Sequence, residues 1–350
     1  MLDTIERPAS AVKTGTRMNR PATIEDVARA AGVSRQTVSN VLNSPAVVRE
    51  QTRERVQDVI RRLGYAPHAS ARRLRTRRSS TLGIHLDPYA GGISGAVLDR
   101  FVHALTETAG ERGLRVMLYA ARSPEEEIRR MADLRDGGDI DAVVITGTFA
   151  GDPRSQWLTE HAVPFVAFGR PWGEDDVGAP AHLWVDVDGA AGTAQATRHA
   201  LATAGPRVGF LGWPQGSGTG DERERGWRET LPARGGGVRL TSAENVASAR
   251  EVVETALAGD AFDALVCASD ALAVGAHLAA VTSGRPRLPI IGFDNTPAAE
   301  ALGLSSVEQM PEAVASGALD LLLAGGRDIV ARVAVPHEAH VLVEPRLVVR

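Results

Sequence analysis

Residues 22–43 read ATIEDVARAAGVSRQTVSNVLN, and residues 48–64 read VREQTRERVQDVIRRLG. Thr23 is placed to cap a helix, with Asp26 three residues on as its acidic partner. Ile24, Val27, Ala28 and Ala31 then recur at i, i+3, i+4 and i+7, one face of a helix that Gly32 ends. Ser34 caps a second helix carrying Thr37, Val38, Val41 and Leu42; Asn43, Ser44 and Pro45 end it. A third runs from about Arg49 to Leu63, with Val56, Ile60 and Leu63 facing inward and Gly64 as its stop. Three short helices with a glycine-containing turn between the first two predict a helix-turn-helix domain over residues 22–66.

The flanks read differently. Residues 1–21 show no hydrophobic period and contain Pro8, Gly15 and Pro21, which predicts a flexible tail. Residues 67–79, PHASARRLRTRRS, form a linker too short and too charged to be a stable helix alone. Charge separates this head from the remainder. Over residues 20–80 arginines outnumber acids by 8, whereas residues 81–350 carry a net −13 within a chain of −4 overall. Only the head is suited to a polyanion.

Composition closes several other doors. Hydrophobic residues make up 43% of 350, enough for a core and too many for a disordered chain. The single cysteine, Cys267, excludes an intrachain disulfide and a cysteine-based zinc site. No apolar run approaches the roughly 18–20 residues that cross a bilayer, and no signal-peptide pattern opens the chain. A cytoplasmic protein with no membrane partner is expected.

From Thr81 short apolar runs alternate with helix-length segments. The runs are Leu82–Leu86, Val116–Tyr119, Ala142–Ile145, Phe165–Phe168, Val208–Leu211, Ala264–Cys267 and Ile290–Phe293. Such repetition predicts parallel strands buried on both faces. About 270 residues exceed one doubly wound sheet, so two subdomains are expected, with sites at the strands' C-terminal ends.

The stretch 22–64 closely resembles the N-terminal domain of the LacI/GalR family of bacterial transcriptional repressors. Leu82-Gly-Ile, Asp141-Ala-Val-Val, Val185-Asp-Val-Asp-Gly, Ala268-Ser-Asp-Ala-Leu-Ala-Val-Gly and Ile291-Gly-Phe-Asp-Asn extend the resemblance over residues 22–350. It implies a helix-turn-helix domain and a hinge helix. An α/β body like a periplasmic binding protein follows over 80–350. Its first subdomain would hold residues 80–170 and 309–325, its second 171–308 and 326–350.

The resemblance also implies roles. The second helix would lie in the major groove, with Arg35, Gln36 and Asn40 at base edges. Thr23, Ser34, Thr37 and Ser39 would meet phosphates. Leu74, flanked by Ala71 and Arg75, would wedge into the minor groove at the centre of a pseudo-palindromic operator. Arg223, Trp227, Ser269, Asp294 and Gln309 would surround a small effector, a sugar by this resemblance, with Tyr89 on the opposite wall; of Trp172, Trp213 and Trp227, any of which could stack on a sugar ring, Trp227 is the best placed. Two features depart from sugar-binding relatives: Ala190-Ala191-Gly192 stands where many carry arginine, and residues 216–220 read GSGTG. That loop lacks the Gly-Lys-Ser/Thr ending of a phosphate loop. The chain stops at Arg350 without a heptad tail, so a homodimer is expected.

A catalytic reading needs a nucleophile with its base, a metal cluster or paired acids. The nine histidines are scattered, and no His-Glu-x-x-His or Gly-x-Ser-x-Gly element occurs. The sequence therefore reads as a ligand-responsive repressor without cofactor or catalytic residues. The alternative is a sugar carrier or sugar-processing enzyme with an incidental basic head.

Overall fold

The computed structural model describes residues 22–65, 79–86, 95–173, 180–232, 237–324, 326, 329 and 339–350. The chain divides into two compact units, residues 1–77 and 78–350.

In the first unit, α1 (Ile24–Ala31), α2 (Arg35–Asn43) and α3 (Glu50–Leu63) enclose Val27, Ala28, Ala31, Val38, Val41, Val56 and Val59. Thr23 completes a capping box. The Asp26 N–H donates to Thr23 Oγ1 at 3.3 Å, and the Thr23 N–H donates to Asp26 Oδ2 at 3.0 Å. Gly32 and Gly64 end α1 and α3 at φ 63° and 61°, a region glycine enters freely. One inward residue differs from expectation. Val59 joins Val56 in the core, while Leu63 is 38% exposed. The 14-residue α3 outruns its 8- and 9-residue neighbours, so its last residue has little to pack against.

The second unit holds two six-stranded sheets. The first contains β1 (Thr81–Leu86), β2 (Arg115–Ala120), β3 (Ala142–Thr146), β4 (Phe165–Phe168), β5 (Trp184–Val187) and β11 (His340–Val343). All its pairings are parallel, in the order β11-β5-β4-β3-β1-β2. The second contains β6 (Val208–Gly212), β7 (Arg239–Thr241), β8 (Ala264–Cys267), β9 (Ile290–Phe293), β10 (Ser305–Glu308) and β12 (Arg346–Val348). Its order is β12-β10-β9-β8-β6-β7, with only β12 antiparallel.

Helices cover both faces, which is why the strands read as unbroken apolar runs. On the first sheet, α4 (Gly95–Glu111) and α12 (Pro311–Leu323) pack with Val144 and Val166 on one face. On the other, α5 (Pro124–Asp136) and α6 (Pro153–Glu160) pack with Val143 and Ile145. The second sheet shares one core with α7 (Gly189–Thr203), α8 (Gly218–Thr230), α9 (Val246–Leu257), α10 (Asp270–Thr282) and α11 (Pro297–Ala301). Phe101, Phe210 and Phe262 are fully enclosed; truncating any of them to alanine would cost about 3–5 kcal/mol.

The chain crosses between the sheets after Val187, after Glu308 and after Val343. These crossings correct the expected boundaries at 170/171 and 325/326. β5 pairs with β4, Ala167 opposite Trp184, and β11 pairs with β5, His340 opposite Trp184, so both belong to the first sheet. Twelve strands are described where apolar runs indicate seven. The others carry weak signals: β7 and β12 are three residues long, and β10 reads Ser-Ser-Val-Glu although fully buried.

Candidate DNA-reading helix and effector cleft

The N-terminus of α2 is built by Ser34, whose Oγ accepts the Thr37 N–H at 3.1 Å and lies 2.9 Å from Thr37 Oγ1. This leaves Ser34, Arg35 and Gln36 exposed on the first turn. Thr37, Ser39 and Asn40 are half-buried. Gln36 Nε2 donates to Asn40 Oδ1 at 2.9 Å, so the two amides expected at base edges act as a pair. Arg35 Nη1 lies 3.9 Å from Glu25 Oε1, both side chains largely in solvent. Thr23 is occupied by the capping box and also donates through Oγ1 to Asp26 Oδ2 at 2.7 Å. Ala71, Leu74, Arg75 and Tyr89 lie outside the described residues.

Between the two sheets is a cavity of about 230 Å³. Its first-sheet wall comes from the C-terminal ends of β3, β4 and β5, including Thr148, Trp172 and Asp186. Its second-sheet wall comes from the first turns of α8, at Thr219, Glu222 and Arg223. Gln309 closes it at a crossover. This is where a doubly wound sheet exposes strand ends and loops to a ligand.

Arg223 is the most constrained group there. Its guanidinium carbon sits 3.7 Å from the Phe293 ring centroid and 5.6 Å from that of Trp213. Nη1 donates to the Ala268 carbonyl at 2.5 Å and lies 3.6 Å from Asp294 Oδ1, while the buried Nε has no hydrogen-bond partner. An unmet buried donor is costly in a protein interior and cheap to satisfy with a ligand oxygen. Burial pushes the Arg223 pKa down, and the Asp294 charge opposes it. Burial likewise pushes the Asp294 carboxyl up to about 7, against the pull of Arg223.

Asp294 stands one layer behind the cavity wall. It accepts from Gln309 Nε2 at 2.5 Å and so ties together the two lining residues Arg223 and Gln309. Its φ of 112° is a strained value for a non-glycine residue, held by its N–H bond to the Val307 carbonyl at 2.8 Å. Ser269 caps α10 and donates to Glu244 Oε2 at 2.9 Å. Asp270 supports the neighbouring turn, as its sequence position suggests, accepting from Thr296 N at 2.6 Å, Thr296 Oγ1 at 2.8 Å and Ser306 Oγ at 2.6 Å.

Trp227 is placed elsewhere than expected. It is 4% exposed, stacks on Phe210 at 5.4 Å, and donates through Nε1 to the Val208 carbonyl at 3.0 Å. Its helix position turns it onto the sheet, so it is a core residue. The tryptophan at the cavity is Trp172.

Three further residues complete the site. Asp186, on β5, has its carboxyl pushed up to about 6 by burial. Glu222 lies one turn into α8. Arg170, just after β4, joins them: Nε is 3.5 Å from Asp186 Oδ2 and Nη2 is 3.2 Å from Glu222 Oε1. That second ion pair links the first-sheet side of the cleft to the second. In sequence the Asp186/Asp188 pair looks like an ordinary turn, and Asp188 does cap α7 through the Ala191 N–H at 2.8 Å.

The glycine-rich loop also acquires a reason. A Cβ on Gly218 would come within 2.2 Å of the Trp172 indole, and one on Gly220 within 2.8 Å of Trp213. Bare backbone lets α8 begin directly against both rings.

No helix among the described residues is long and apolar enough to cross a membrane. Cys267 is buried, which pushes its thiol pKa up and keeps it protonated.

Comparison with known proteins agrees with this geometry. Residues 23–68 match the family model for bacterial regulatory proteins of the lacI family. Residues 95–333 match that for periplasmic binding proteins and the sugar binding domain of the LacI family. The HTH-type transcriptional regulator CelR of Thermobifida fusca is 34% identical over 307 residues, covering 81% of this chain and 85% of its own. A solved complex of the transcriptional regulator CelR with cellobiose is 28% identical, with a TM-score of 0.64 over 94% of this chain and 99% of that one. The lac repressor dimer bound to operator, 21% identical, shares the fold at a TM-score of 0.73 over 94% and 98%. The chain belongs to the LacI family of bacterial regulatory proteins and is a helix-turn-helix transcriptional regulator.

Proposed function

We propose that this regulator is a cytoplasmic repressor that binds a pseudo-palindromic operator as a homodimer and is released from it by a small carbohydrate. Arg35 and Gln36, exposed at the start of α2, read base edges, with Asn40 supporting Gln36. Ser34, Thr37, Ser39 and Thr23 serve the phosphates, and Leu74, between Ala71 and Arg75, wedges the central base step.

One observation carries the effector half. A single cavity is lined by Trp172 and Asp186 from one sheet and by Glu222 and Arg223 from the other. A ligand touching both walls binds one arrangement of the sheets better than another, and only such differential affinity can shift a regulator between states. Carboxylates, a guanidinium and an amide around an indole suit a ring with hydroxyls on its rim and C–H on its faces. Asp294 holds two of those groups in place, Ser269 braces the neighbouring loop, and Tyr89 belongs to the opposite wall. The relative CelR, solved with cellobiose, favours this ligand class.

The test is thermal unfolding of the full chain against mono- and disaccharides, with operator binding measured with and without each hit. A sugar at about 100 times its Kd should add about 2.7 kcal/mol of stability and weaken operator binding. A sugar that tightens operator binding would replace release by corepression, and silence across the panel would remove the carbohydrate.

A further inference from the structure

The Arg170–Glu222 ion pair is not alone in joining the two subdomains. Arg100, on α4, donates through Nη1 to Glu308 Oε1 at 3.0 Å and to Glu308 Oε2 at 3.2 Å. α4 belongs to the first subdomain, where its Phe101 and Leu105 are buried in the core. Glu308 is the last residue of β10 in the second sheet, opposite Arg346 of β12. Glu222 lines the cavity, whereas neither Arg100 nor Glu308 is part of its wall.

Glu308 is a junction. Its carboxylate, 8% exposed, also accepts from Asn295 Nδ2 at 2.6 Å and from the Met310 N–H at 3.3 Å. Both donors sit in left-handed backbone, with φ 49° at Asn295 and 55° at Met310, beside Asp294 at 112°. Residues other than glycine keep such values only where their surroundings enforce them. Glu308 holds two of these three, and Arg100 holds Glu308 from the other subdomain. Arg100 Nη2 is also 3.8 Å from Glu312 Oε1 in the first turn of α12, so one guanidinium spans the crossover.

Only Gln309 stands between Glu308 and Met310. It lines the cavity and donates to Asp294. The cavity wall and the ion pair therefore act on one short stretch of chain. Parting the subdomains about this crossover would strip Arg100 from a nearly buried carboxylate, and a buried charge that loses its partner is costly. The pair thus favours this arrangement over any in which the subdomains have separated.

We propose that Arg100 and Glu308 form a clasp that holds the two subdomains in this arrangement and so sets how readily the cleft takes its effector. They are positioning residues, acting through Gln309 and Asp294. The consequence for binding rests on the effector reading above; the clasp itself is measurable without a ligand.

The experiment is double electron–electron resonance on the full chain. Nitroxides are placed at Gln156→Cys on α6 and Arg198→Cys on α7, both exposed and one on each subdomain. Labelled chains are diluted in unlabelled ones, and buried Cys267 stays unlabelled. Arg100→Gln and Glu308→Gln should each shift the ratio of the separated to the wild-type distance population by about fivefold or more. The double variant should shift it no further than either single one, and Arg100→Lys should stay close to the wild type. Cellobiose is the probe sugar. Its Kd should rise in Arg100→Gln as the fraction of chains in the wild-type arrangement falls. Distance distributions that match the wild type in both single variants overturn the clasp. So does a double variant that shows the sum of two separate shifts. A shifted distribution with an unchanged cellobiose Kd overturns the control of binding. If no variant binds cellobiose, that sugar is removed as effector, and the distances alone decide the clasp.

Discussion

The α2 helix and the effector cleft solve recognition in opposite ways. The helix carries its chemistry on consecutive residues, Ser34 to Asn40, exposed or half-buried on a local structure that needs only a cap and three neighbouring helices. The cleft gathers Thr148, Trp172, Asp186, Glu222, Arg223 and Gln309 from loops, a strand and the start of α8, far apart in sequence and several of them buried. Groups in water lose little when a neighbour changes. Buried charges are tuned by one another, so a single substitution propagates through the site.

That contrast can be broken or sharpened by substitution. The largest effect is expected from Arg223→Ala. It removes the guanidinium between Phe293 and Trp213 and leaves Asp294 buried without its cation. Breaking a buried pair typically costs about 3–5 kcal/mol, so the urea midpoint of the body's unfolding should fall steeply and sugar response should vanish. A variant as stable as the wild type would show that the cleft tolerates change as the exposed helix does.

Next is Arg35→Ala, which should weaken operator binding by about 1–3 kcal/mol, the value of one good base contact. The melting temperature should hold, because Arg35 is exposed and its nearest acid is 3.9 Å away. Titration of specific and random DNA separates the outcomes. Equal losses on both would make Arg35 a phosphate contact.

Asp294 provides a pH test. Its carboxyl is pushed up to about 7 by burial, well above the ordinary 3.8. Between those values the folded state binds more protons than the unfolded chain, so this group's contribution falls as pH rises from about 4 to about 7. Asp186, pushed up to about 6, acts in the same direction. Half-buried Asp263, whose pKa is lowered by the hydrogen bond from Arg207, acts in the opposite direction. The expected signature is therefore a difference: stability of the wild type minus that of Asp294→Asn should decline across this window. A flat difference would place Asp294 in a more polar setting than its burial implies.

The smallest effect is expected at Thr23→Ala, which should lower the stability of the first unit by about 1 kcal/mol through loss of the cap. Calorimetry of the full chain would read it, and an unchanged transition would mean that water caps α1 equally well.

Most of the helix-turn-helix was legible because its determinants are local. Capping side chains, glycine stops and the i, i+3, i+4 spacing act within a few residues: Thr23 and Ser34 cap α1 and α2, and Gly32 and Gly64 end α1 and α3. Even there Val59 and Leu63 exchange places, since burial at a helix end depends on neighbours. The body was legible as alternating strands and helices. Its sheet membership was not, because β5 joins the first sheet through β4 rather than the strand that follows it, and β11 is assigned by pairing across more than 150 residues. In the cleft, Arg223 and Gln309 were legible through resemblance. Asp186, on a four-residue strand, and Glu222, on a polar helix face, look ordinary in sequence.

The sequence alone determined the helix-turn-helix, the basic head on an acidic body, the apolar strands and the family, since each depends on residue identity and short-range spacing. Tertiary structure alone decided that Trp227 is core and Trp172 borders the cavity, that Asp294 stands behind Arg223 and Gln309, and that Gly218 admits an indole against the backbone. Those outcomes depend on which surfaces the two sheets bring together, and burial and ionisation follow from that distance-dependent packing.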